Sequence, residues 1–95
     1  MKAILIDKSR SAIDAVSFAN TVIWQVPEPV LGSAHHFKYS LSYIVRGDCV
    51  LRYDNERGKG DHRHWLDEET AYNFASLEQL LRDFYSDIST WRASK

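Results

Sequence analysis

His62 and His64 are separated by a single residue, so on an extended backbone their imidazoles point to one side, with Cα atoms roughly 6.5–7 Å apart. Paired imidazoles support two kinds of chemistry. Histidine titrates near neutral pH and can take a proton from one oxygen and return it to another. It is also a metal ligand, and His62 and His64 with Asp61 or Asp54, or with the His35 and His36 pair, make a workable ligand set. The surrounding run, RYDNERGKGDHRHW, sets Arg52, Arg57, Lys59 and Arg63 against Asp54, Glu56 and Asp61, so cations lead by one. Arg52, Lys59 and Arg63 are donors suited to hold a phosphate and stabilise charge developing on it. Together the groups match the needs of RNA cleavage without a metal: a base for the 2′-hydroxyl, cations for the pentavalent phosphate and an acid for the 5′-oxygen. Which histidine is the acid and which the base is open at this level.

The neighbours carry a functional and a plain reading side by side. Tyr53 can donate to a phosphate or stack on a base, and Asp54 can orient a histidine. The plain reading is a cross-strand tyrosine and an Asp-Asn turn. Lys38, Arg57 and Asn55 are candidates for further substrate contacts. For His62 and His64 themselves the plain reading is two surface side chains bonded to Asp61 and the backbone. His35 and His36 read as loop residues, Trp24, Tyr39 and Tyr43 as core aromatics, and Cys49 as a small strand residue. Gly58, Lys59 and Gly60 lack the GxxxxGK[ST] spacing of a phosphate-binding P-loop.

The elements that must position these groups follow from hydrophobic patterning. Lys2 to Ile6 reads as a short strand ending in a DKSRS turn. Ile13 to Val26 reads as one long strand, bulged near Asn20, with Val16, Phe18, Val22, Trp24 and Val26 on one face. PEPVLGS, with two prolines and a glycine, is a connection. Phe37, Tyr39, Leu41, Tyr43 and Val45 alternate with Lys38, Ser40 and Ser42, and the RGD turn leads into Cys49–Tyr53, which predicts an antiparallel hairpin. Gly58 and Gly60 predict a loop with positive φ, after which His62–Trp65 returns as a strand. LDEET reads as exposed, and Tyr72 and Phe74 as a last strand remnant. Ser76 stands three residues ahead of Gln79 as a capping box, and Leu77, Leu80, Leu81, Phe84, Tyr85, Ile88 and Trp91 follow helical spacing over about four turns. The expected fold is α+β in residues 1–95 as one domain: a mostly antiparallel sheet of four to six strands with one C-terminal amphipathic helix packed on one face. The opposite face, with Lys38, Ser40, Ser42 and Arg52, is left for a substrate or partner.

Composition bounds the function. At 95 residues the chain can bury about 60–65% of its unfolded surface, enough for one core. The formal net charge of −1 argues against gripping nucleic acid through bulk positive charge, so any such role rests on local charge. Cys49 is the only cysteine, which excludes an intramolecular disulfide and the Cys-x-x-Cys pairs of a structural zinc site. With no signal peptide pattern and no run of roughly 18 apolar residues, the expectation is a cytoplasmic protein with no membrane association. No cofactor is expected.

The stretch YSLSYIVRGDCVLRYDNERGKGDHRHW, preceded by IWQVPEPV and followed by YNFASLEQLLRDFYSDI, resembles the TumE-type toxins of bacterial and archaeal toxin-antitoxin modules. The likeness runs from about Trp24 to Trp91 and is densest from Arg52 to His64. It implies a small cytoplasmic toxin that inhibits growth, neutralised by an antitoxin encoded beside it, commonly a helix-turn-helix protein. For this family a ribonuclease activity is proposed, with RNA as substrate. The reading is therefore a metal-independent endoribonuclease toxin. Its alternatives are a metal-dependent nuclease using the His-x-His pair, and a binding module that inhibits or regulates without catalysis; an oligomer is compatible with each.

Overall fold

A computed structural model describes residues 2–95. Six strands run in chain order across one antiparallel sheet: β1 (Ile4–Asp14), β2 (Ser17–Gln25), β3 (Phe37–Val45), β4 (Asp48–Glu56), β5 (Gly60–Trp65) and β6 (Glu68–Ala71). Helix α1 (Leu77–Ala93) follows and covers one face. Its apolar stripe, Leu80, Phe84, Ile88 and Trp91, is buried against Tyr39, Leu41 and Tyr43 of β3 and Leu51 and Tyr53 of β4. Each such side chain contributes roughly 1.5–3 kcal/mol by leaving water. The helix begins where expected: Ser76 is extended and its Oγ accepts from the Gln79 amide at 3.1 Å. Only half of the capping box forms, because the Gln79 side chain donates onward to Asp83 at 2.7 Å.

The β3–β4 hairpin turns on Arg46 and Gly47 with φ of 50° and 86°, the positive pair that matches the twist of adjoining strands. Several expectations at the chain's start and end are corrected. β1 does not stop at Ile6 but continues through DKSRS to Asp14, where Ala15 and Val16 make the turn. The long strand over Ile13–Val26 is thus the end of β1, a turn and β2, and the bulges lie at Leu5/Asp7 and Ala12/Asp14 rather than near Asn20. Trp24, expected as a core aromatic, lies on the face away from the core. Ser17, Ala19, Thr21 and Ile23 are buried, whereas Phe18, Val22 and Trp24 stand half-buried on the open face. The polar members inside are satisfied, Ser17 by the Tyr43 hydroxyl at 3.0 Å and Thr21 by Asp7 at 2.6 Å. At the other edge β6 falls on EETA, not on Tyr72 and Phe74, whose rings turn back toward the core.

The 26–36 connection leans on the turn before β5. The Gly58 amide donates to the Leu31 carbonyl at 2.6 Å, and Gly32 and Gly60 meet backbone to backbone. A Cβ on Gly60, whose φ is +77°, would lie 2.6 Å from the Gly32 oxygen. Gly60 is required here twice over, by dihedral and by space.

Candidate functional site

Pairing of β4 with β5 decides which side chains share a side. Arg52 registers with His64 and Asp54 with His62, while Tyr53 registers with Arg63 and Asn55 with Asp61. Side chains alternate faces along a strand, so Arg52, Asp54, His62 and His64 line the open face. Tyr53, Asn55, Asp61 and Arg63 line the helix face. The turn at Leu66 and Asp67 then brings β6 alongside and sets Glu69 opposite His64.

On the open face the charges are interleaved. Arg52 Nε lies 3.2 Å from Asp54 Oδ2, His64 Nε2 lies 3.5 Å from Asp54 Oδ1 and 3.8 Å from Glu69 Oε1, and Lys59 Nζ lies 3.5 Å from the same Glu69 oxygen. Each carboxylate thus has a cation beside it. Proximity is not hydrogen bonding, however: Arg52 Nε and His64 Nε2 are buried and neither meets a partner in bonding geometry. His64 Nε2 faces two carboxylates, which only accept, and this setting favours a proton on that nitrogen. His62 is set the other way. Its Nδ1 lies 3.2 Å from the Gly60 carbonyl oxygen, which also only accepts, so Nδ1 carries the hydrogen and Nε2 is the basic nitrogen of the neutral ring. A pocket of about 150 Å³ opens beside Arg52 and His64, bounded by Cys49, Val50, Leu51 and Leu66. A bulge leaves Val50, which lines the pocket, without a partner between Tyr43 and Ile44 of β3. A larger cleft of about 480 Å³ lies elsewhere, beneath the end of α1, and touches none of these groups.

The helix face holds a different set. The Arg63 Nε donates to Asp87 Oδ2 at 2.7 Å and to the Tyr53 hydroxyl at 3.1 Å, and that hydroxyl donates to the same Asp87 oxygen at 2.7 Å. Burial, then the bond to Asp87, pushes the Tyr53 phenol well above its ordinary value, and the Asp87 bond holds Arg63 in its charged form. These residues tie α1 to the sheet. Asn55 is 1% exposed and its amide clasps β3, donating to the Phe37 carbonyl at 2.7 Å and accepting from the Tyr39 amide at 3.0 Å. Asp61 accepts from Ser33 and Tyr39, each at 2.6 Å, and faces His35 Nε2 at 2.7 Å. It therefore lies across the sheet from the two histidines whose metal set it was expected to complete, and among the described residues no group of three His, Cys, Asp or Glu is placed to hold a metal. His35 is no bland loop residue, since its ring also stacks on Phe74 at 3.7 Å. His36 is exposed and Arg57 is exposed near Lys38, around a groove formed with Pro29, Val30 and Leu31. Lys38 Nζ reaches the Asn55 carbonyl at 3.3 Å.

Sequence reasoning brought Arg52, Asp54, His62 and His64 together and missed Glu69. LDEET, read as exposed, carries no alternation that would mark a strand, since all four residues of β6 are exposed. The split of Tyr53 and Arg63 from the histidines was readable, since odd positions 51, 53 and 55 and 61, 63 and 65 alternate against the even ones.

The family model described as Toxin TumE matches residues 3–92 of the chain. No curated protein and no solved structure matches it. Among the described residues no helix is long and apolar enough to cross a membrane.

Proposed function

The chain belongs to the toxin TumE family, and on that premise we propose that it arrests growth as a metal-independent endoribonuclease working through His62 and His64. It is the toxin component of a toxin-antitoxin module and has a cognate antitoxin as its partner; that the antitoxin is a helix-turn-helix protein, and that the toxin acts in the cytoplasm, belong to the proposal. The observation that carries the reading is the pair of buried, unpartnered nitrogens, Arg52 Nε and His64 Nε2, beside an open pocket. An unsatisfied buried polar group costs about 1–3 kcal/mol. A ligand rich in acceptor oxygens removes that cost once the side chains turn toward the pocket, and a phosphodiester is such a ligand.

In the reaction His62 Nε2 takes the proton of the 2′-hydroxyl, and the 2′-oxygen forms a bond to phosphorus. The bond from phosphorus to the 5′-oxygen breaks, and that oxygen receives the Nε2 proton of His64 acting as the imidazolium, which leaves a neutral ring. The products are a 2′,3′-cyclic phosphate and a 5′-hydroxyl. Arg52 stabilises charge on the non-bridging oxygens, with Lys59 as a nearby cation. Asp54 holds Arg52 and His64 in place. Tyr53, Arg63 and Asn55 support the site from the far side of the sheet.

The test is induction without the antitoxin, followed by mapping of new RNA ends. Ends bearing 2′,3′-cyclic phosphate are expected, unaffected by excess EDTA in the purified reaction. His62→Ala and His64→Ala should each lower cleavage by roughly 10²–10⁴-fold with melting unchanged. Full toxicity of both variants at equal expression removes the assignment.

A further inference from the structure

We propose that the open face of β1–β3 is a track for single-stranded RNA leading to the His62–His64 site; this extends the ribonuclease reading by naming the form of its substrate. The first observation is chemical segregation. On that face of the three strands Lys8, Arg10 and Lys38 are exposed, and among the described residues none of its positions is a carboxylate. The two acids of β1, Asp7 and Asp14, register with Ile23 and Ser17 on the helix side instead. Three cations without a competing anion make a local phosphate-binding surface on a chain whose total charge is −1.

The second observation is the placement of aromatic rings outside the core. Phe18 and Trp24 sit on the open face, half-buried, with no helix over them. The Arg10 guanidinium sits over Phe18, its Cζ 3.8 Å from the ring centre, a cation–π contact that orders a long exposed side chain. Ring faces and guanidinium planes are what unpaired bases stack on, whereas a duplex hides the faces of its bases. A groove of about 440 Å³ runs beside them, lined by Lys8, Ser9, Arg10, Asn20 and Val22.

The third observation is continuity. Asn20 registers with Ser42 and Ser42 with Arg52, so one transverse row of polar side chains connects the groove to the candidate site. From β1 to β5 the row crosses four strand spacings, roughly 19 Å at about 4.8 Å each. A strand of RNA laid along it places one phosphodiester at Arg52 and neighbouring nucleotides over β2 and β1.

The test uses the whole chain and RNA with every 2′-hydroxyl methylated, which binds but cannot be cut by 2′-attack. Wild-type protein should bind a single-stranded 16-mer at least tenfold more tightly than a dinucleotide or a 16-bp duplex. Lys8→Gln with Arg10→Gln, both at exposed positions of an edge strand, should weaken 16-mer binding about tenfold without changing the melting curve. The slope of log affinity against log salt should fall by about 1.4, near 0.7 for each cation removed. Unchanged binding by the double variant overturns the track, as does equal affinity for duplex, or a loss confined to binding of the antitoxin. Parallel cleavage of unmodified RNA separates the two ideas. Cleavage with an inert double variant keeps the histidine site and rejects the track, and length-dependent binding without cleavage does the reverse.

Discussion

His64 and Arg63 are adjacent in the chain and work on opposite sides of the sheet. His64 faces Asp54 and Glu69 on the open side, while Arg63 reaches through to Asp87 on the helix. That division makes a residue-scale prediction. Asp87→Ala leaves the Tyr53 hydroxyl and the Arg63 guanidinium without their shared acceptor, and should lower stability by about 1–3 kcal/mol in urea unfolding. Arg63 is a third exposed, so water takes up part of the loss and the lower end of the range is expected. Cleavage by the folded fraction should be close to wild type. A loss of cleavage beyond the unfolded fraction would put Arg63 or Tyr53 back among the reacting groups. His-x-His was legible in the sequence because two-residue periodicity needs nothing but an extended chain. The inward direction of Tyr53 and Arg63 was legible only once a core had been placed on one side.

At the scale of elements, legibility followed burial. The β3–β4 hairpin could be read because one of its faces is covered by α1, and covering one face is what makes apolar and polar residues alternate. β1 could not, because nearly all its residues are exposed on both faces and burial imposes no pattern on ILIDKSRSAID. In β2 the pattern was present and pointed outward, which is why Trp24 read as a core aromatic. The turn before β5 is held by a contact that no periodicity encodes, the meeting of Gly32 with Gly60. Gly60→Ala places a Cβ 2.6 Å from the Gly32 oxygen on a backbone of positive φ. It should destabilise the protein by about 1–3 kcal/mol and free the Gly58 amide from Leu31, seen as faster hydrogen exchange there. Unaltered exchange and an unaltered unfolding midpoint would show that the clamp does not hold the turn.

For the molecule as a whole, the charge of −1 is a sum of unlike halves. Carboxylates gather on the helix side, where Asp61, Asp83 and Asp87 accept from Tyr39, Tyr72 and Tyr53. Burial first, and then these bonds, push all three phenols above their ordinary value of 10.0. The sign is definite: near pH 10 the unfolded phenols lose protons that the folded ones keep, so the unfolded state binds fewer protons and stability falls as pH rises. Alkaline unfolding should therefore begin near pH 10, with phenolate absorbance rising together with loss of structure. Tyr53→Phe and Tyr72→Phe should each make the decline shallower. Phenolate appearing well before unfolding would contradict the assignment.

The strict neighbour-to-neighbour order of the sheet has a consequence for how the molecule assembles. Every ladder closes across the loop that joins its own two strands, so the sheet is a sequence of local events and contact order within it is low. The docking of α1 is different. It joins Tyr53 to Asp87 over 34 residues and caps the apolar side after all six strands exist. The two histidines are thus set across from Arg52 and Asp54 by contacts close in sequence, whereas the arrangement is fixed to its core by a distant closure.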